Sequence, residues 1–118
     1  MQTRMQYEIL QASGNFIATL LAELQNENEL FASANTLERV EAHLLVIAQT
    51  LAHLPEPLRQ RLIQIDWHGW QHLHRMLEQN KHPRRDEIWY GIHALVPATL
   101  MLMTQLRRQE PMWFEIIY

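Results

Sequence analysis

Between Met5 and Leu24, the residues Ile9, Phe16, Ile17, Leu20, Leu21 and Leu24 recur at steps of three and four. That spacing draws one apolar stripe along a helix and cannot alternate across a strand. The pattern repeats from Leu37 through Val40, Leu44, Ile47, Ala48 and Leu51. With 3 glycines and 5 prolines in 118 residues, little interrupts such elements, and no stretch has the alternation of a strand. An all-α fold follows.

The breaks divide the chain. Gly14 interrupts the first stripe without ending it, and "QNENEL" reads as a polar connector. Asn35 with Glu38 matches a capping box for the second helix, which "LPEP" stops after about His53. A short helix, "PLRQRLIQ", follows. Asp66 is a cap for a helix from Trp67 to about Asn80, "NKHPRRD" breaks it, and Asp86 can cap a last helix from Glu87 to about Gln109. Pro97 predicts a kink inside that helix. The apolar tail "PMWFEIIY" needs something to pack on. The expected architecture is one domain over residues 1–118, an antiparallel helical bundle of four longer helices plus one short helix.

Composition narrows the function. Without cysteine there is no disulfide, thiolate nucleophile or sulfur metal site. A formal charge of −3 gives no general attraction to polyanions, so any nucleic-acid contact must come from a local patch. The beginning, "MQTRMQYEIL", is polar, and "ALVPATLMLM" is about half a membrane span, so a cytoplasmic chain without membrane contact is expected.

The densest chemistry lies in "HLHRMLEQNKHPRRDEIWY", His72 to Tyr90. Arg75, Lys81, Arg84 and Arg85 form the only basic patch, and RNA backbone contact is its functional reading. A charged turn after a helix C-terminus is its structural one. Metal-independent RNA cleavage needs a base of near-neutral pKa for the 2′-hydroxyl proton and a cation fixed on the phosphate. His82 and Arg75 have those properties, no cofactor is implied, and seven residues of helix would put both on one face. Pro83 biases His82 away from helix. His68 and His72, spaced i, i+4, could hold Zn²⁺, yet no carboxylate completes a site. Trp67, Trp70, Trp89 and Trp113, with Met101 and Met103, fall at apolar positions and read as core or dimer contacts. His43, His53 and His93 read as helix-face residues.

The stretch "LFASANTLERVEAHLLVIAQTLAHLPEPLRQRLIQIDWHGWQHLHRML" resembles the HepT-like branch of the HEPN superfamily, in its Leu-Pro-Glu stop, its short helix and its Ile-x-Trp. "DEIWYGIHALVPATL" is similar to that family's final helix, with Trp89 eight residues before Pro97. The resemblance spans roughly Leu30 to Leu106. It implies a helical-bundle homodimer with an RNA-cleaving groove at its interface. It also implies a ribonuclease toxin whose partner is a minimal nucleotidyltransferase antitoxin that adds AMP to a tyrosine. The family carries an arginine, usually a polar residue next, and a histidine four to six residues after the arginine. Spacing from "IDW" and Trp89 puts His74 at the arginine position and Gln79 at the histidine position, whereas Arg75 and His82 satisfy a looser Arg-x6-His. Met76 follows Arg75, and Arg84 stands where a tyrosine often follows the histidine. The resemblance thus implies catalytic Arg75 and His82, with Lys81, Arg84, Arg85 and His74 on RNA. The departures point to an inactive scaffold that binds a nucleotidyltransferase or another protein.

Overall fold

The computed structural model describes residues 3–79 and 84–115, and these are helical throughout, with no strand among them. Four longer segments carry the architecture: α1 (Thr3–Ala22), α3 (Ala34–Ala52), α5 (Trp67–Gln79) and α7 (Val96–Gln109). Short helices α2 (Glu27–Ala32), α4 (Glu56–Arg61) and α6 (Arg85–Tyr90) link or extend them. A π-helical turn, Gly91–Leu95, joins α6 to α7, and a 3-10 turn, Pro111–Phe114, follows α7.

Helix α3 packs between α1 and α5, α5 packs on the π-helical turn, and α7 returns to α1, which closes the ring. Polar ties at matching heights show neighbours running in opposite directions. Gln6, near the start of α1, donates to the His53 carbonyl just past α3 at 3.0 Å, and Gln11 donates to the Thr104 hydroxyl of α7 at 3.1 Å. Leu10, Ile17, Leu30, Val40, Leu44, Ile47, Leu51, Leu73, Ile88 and Met103 fill the space between the helices. The second stripe enters the core almost whole, whereas of the first only Ile17 is buried; Leu20, Leu21 and Leu24 lie partly buried at its edge, and Leu10, outside the stripe, is fully buried. Phe16 lies farther out. It sits at the surface, stacked on His43 at 4.1 Å between ring centroids, with the Arg39 guanidinium 5.2 Å from its ring.

Gly14 marks where α7 comes closest to α1: a Cβ there would lie 2.3 Å from Leu100 Cδ1. Gly91 does the same on the other side, where a Cβ would meet Leu73 Cδ2 at 2.9 Å. At the expected Pro97 kink the chain widens into the π-helical turn. Pro97 cannot donate to the ladder and its ring crowds the carbonyl four residues back, and a wider turn relieves both.

Three details differ from expectation. "QNENEL" is largely the helix α2, capped by Asn26, whose Oδ1 accepts from the Glu29 amide at 3.0 Å. Helix α3 begins earlier than Asn35: Ser33 is its cap, accepting from the Thr36 amide at 3.4 Å. Asp86 lies within the first turn of α6 instead of capping it, because the helix starts at Arg85. The Asp66 cap stands, with Oδ1 accepting from the Gly69 amide at 2.9 Å. The tail does pack as far as Phe114, which is buried and meets Tyr7 edge-on at 5.3 Å. Among the described residues no helix is long and apolar enough to cross a membrane.

Candidate functional site

Helix α5 is built with two unlike sides. Trp70 and Leu73 are buried, and the Trp70 indole donates to the Thr99 hydroxyl at 2.9 Å, which fixes the roll of the helix against α7. Given that roll, positions 68, 72, 75 and 79, at steps of four, three and four, must face outward. His68, His72, Arg75 and Gln79 are all exposed. Arg75 makes no ion pair among the described residues. Its guanidinium is therefore available to an incoming anion.

Beside this stripe, His72, Asp86, Glu87 and Tyr90 border a shallow pocket of about 210 Å³ floored by Leu73 and Leu95. The Tyr90 hydroxyl donates to Asp66 Oδ2 at 3.1 Å, a bond that pushes the phenol pKa up. Asp66 thus holds the start of α5 with one oxygen and α6 with the other.

The other predicted residues go elsewhere. His74 is one position from Arg75 and so about a quarter-turn away. It is half-buried beside Ala48, Leu51 and Trp70 in a separate pocket of about 200 Å³. Its Nε2 lies 3.4 Å from Glu78 Oε1, within ion-pair range but without the alignment of a hydrogen bond. Arg84, expected in the basic patch, is buried. It pairs with Glu41 of α3 and donates to the Met76 carbonyl at 3.2 Å, pinning the chain after α5 onto α3. Arg85 is at the surface but engaged. Its Nε donates to Glu27 Oε1 at 3.1 Å, its terminal nitrogen to Asn28 Oδ1 at 2.6 Å, and its guanidinium lies 4.6 Å from the Phe31 ring. Lys81 and His82 lie outside the described residues. The structure therefore leaves Arg75 open, turns Arg84 inward and ties Arg85 to α2.

Among the described residues no three of His, Asp and Glu gather as a metal site, and the His68–His72 pair has no third donor. Trp70 and Met103 are core, as their spacing suggested, while Met101 is 58% exposed. Sequence reading missed His72 as a neighbour of Arg75. The i, i+3 interval on a helix carried that signal. It also missed the partners of three other histidines, among them His53, whose Nδ1 lies 2.7 Å from the Gln49 carbonyl. His43 Nδ1 lies 3.3 Å from Ser13 Oγ, and the His93 ring lies 4.0 Å from that of Trp89.

No family model, no curated protein and no solved structure matches this chain.

Proposed function

We propose that the chain is a HepT-like ribonuclease of the HEPN type, working as a homodimer through the outer stripe of α5. One observation carries this reading: Arg75 stands exposed and unpaired among the described residues, on a stripe it shares with His68 and His72. In this reading Arg75 holds the scissile phosphate through two parallel N–H bonds and stabilises charge on its oxygens. His82 takes the 2′-hydroxyl proton as the oxygen attacks phosphorus. The P–O5′ bond breaks, the 5′-oxygen receives a proton, and a 2′,3′-cyclic phosphate remains. No metal is required. Two copies of the stripe brought together by a two-fold axis would double the local positive charge, which a chain of net charge −3 otherwise lacks.

A second reading has its own support. Arg84 and Arg85 are bonded within the fold, so the cationic surface near Arg75 is smaller than the run of charges suggested. A bundle that binds a minimal nucleotidyltransferase or another protein without cutting RNA would need no more.

The deciding experiment is RNA cleavage by purified protein in chelator, beside the Arg75→Ala/His82→Ala double variant. The nuclease reading expects cleavage by the parent, cyclic phosphate ends, and loss of at least about a hundredfold in the variant, the scale of general acid–base catalysis. Equal or absent cleavage in both would leave the scaffold reading.

A further inference from the structure

At the end of the bundle where α1 begins and α7 finishes lies a cavity of about 700 Å³. Arg4 of α1 and Arg107 and Arg108 of α7 line it, together with Tyr7, Thr104 and Phe114. Arg4 and the adjacent pair Arg107 and Arg108, about a hundred residues apart in sequence, thus line one hollow.

Their charge is not spent inside the protein. Arg107 and Arg108 form no ion pair among the described residues. Arg4 pairs only with Glu8, one turn on, at 3.3 Å, and both side chains are more than half exposed, so a stronger anion can displace that partner. Glu110, the nearest acid after α7, is held elsewhere: it accepts from Arg61 Nε at 3.2 Å and from the Trp113 indole at 2.9 Å. Glu115 is the one carboxylate in the wall.

Tyr7, Phe114 and Pro111 supply the apolar part of the lining. The Arg107 guanidinium lies 5.2 Å from the Tyr7 ring, whose other neighbour is Phe114. The Thr104 hydroxyl accepts from Gln11, which leaves its own proton free to donate. Bare phosphate is far smaller than this hollow, whose size falls in the ordinary range for small-molecule sites of about 300–1,000 Å³.

We propose that this cavity binds a small diphosphate ester carrying a flat apolar body. The three guanidiniums take the phosphate oxygens, and the Tyr7–Phe114–Pro111 wall takes the body. The site lies at the opposite end of the bundle from the break after α5 and does not depend on the ribonuclease reading.

The test is calorimetric titration of the full chain with ADP, inorganic pyrophosphate and adenosine as probes. Variants are Arg108→Ala, Arg4→Ala and, as a control away from the cavity, Arg39→Ala, each checked by circular dichroism. Arg108 and Arg4 are exposed, so their loss leaves the packing intact. Saturable ADP binding is expected, weakened about tenfold or more by Arg108→Ala and by Arg4→Ala, the scale of one charge-assisted hydrogen bond. Arg39→Ala should bind ADP as the parent does. Pyrophosphate and adenosine should each bind more weakly than ADP. The proposal is overturned by absent ADP binding, by binding that Arg108→Ala leaves unchanged, or by pyrophosphate binding as tightly as ADP.

Discussion

Two sets of arginines at the two ends of the bundle are treated in opposite ways. At the end where α5 stops and α6 starts, Arg84 and Arg85 are adjacent in sequence, and both are drawn into bonds with α3 and α2. At the other end, Arg4 is far in sequence from Arg107 and Arg108, and all three face one cavity. Neighbours along a chain diverge when a helix begins between them, because successive residues of a helix point about 100° apart. Residues on antiparallel helices converge wherever their heights match. A run of charge in a sequence is therefore weak evidence for a patch, and scattered arginines on two packed helices can make a better one.

The sharpest way to break this comparison is Arg84→Ala. It leaves the largely buried Glu41 carboxylate without its cation, and the expected cost is about 3 kcal/mol in urea unfolding, the range for breaking a buried pair. Arg84→Met with Glu41→Leu should recover most of that, since both charges then leave together. A loss under about 1 kcal/mol for Arg84→Ala would show that the end is not tied by this pair.

Arg85→Ala comes next. Its bonds to Glu27 and Asn28 are at the surface, and its contact with Phe31 is a cation over a ring, so the expected loss is about 0.5–1 kcal/mol. A cost equal to that of Arg84→Ala would remove the distinction between buried and surface ties.

These same residues show how far the sequence could be read. The helical fold and the buried face of α3 were legible because the three- and four-residue period is a local property that burial simply uses, whereas Leu10, Leu30, Leu58 and Ile88 were not picked out. The Asp66 cap was legible for the same reason. The start of α3 was not: Ser33 and Asn35 are both good caps, and the choice depends on α2 ending where the Leu30 carbonyl accepts from the Ser33 amide. Likewise α6 begins at Arg85 once Arg84 is anchored to Glu41, which is 43 residues away and invisible to local rules. On the site, the exposed stripe holding Arg75 follows from helix arithmetic, but the inward turn of Arg84 does not. The cavity with Arg4, Arg107 and Arg108 was illegible because it requires knowing that α7 returns beside α1.

At the open end, acid should act through Glu110. Hydrogen bonds from Arg61, then Trp113, hold its carboxyl below the ordinary value of 4.5. The folded state therefore binds fewer protons than the unfolded one below that pH, and stability falls as pH drops through the folded value. Glu110→Gln should flatten that part of the stability–pH curve, with the variant less stable than the parent at neutral pH and the two converging in acid. A slope identical in parent and variant would show that the Arg61–Glu110 tie is not formed in solution.

The smallest effect belongs to Arg108→Ala. Its guanidinium is exposed and has no ion pair among the described residues, so no buried charge is stranded when it goes. Two weak terms remain. Losing a cation in the last turn of α7 forfeits a few tenths of a kcal/mol against the negative end of the helix dipole, on the order of 0.3–1 kcal/mol at most. Losing it also relieves repulsion from Arg107 and Arg4, which works in the other direction. The net change should stay within about 0.5 kcal/mol, as for an ordinary surface substitution. A loss above about 1 kcal/mol would mean that Arg108 is committed inside the fold as Arg84 is, and the contrast between the two ends would collapse. A near-zero change in stability alongside a large change in anion affinity would separate the two kinds of arginine by measurement: one holds the bundle together, the other waits at its open end.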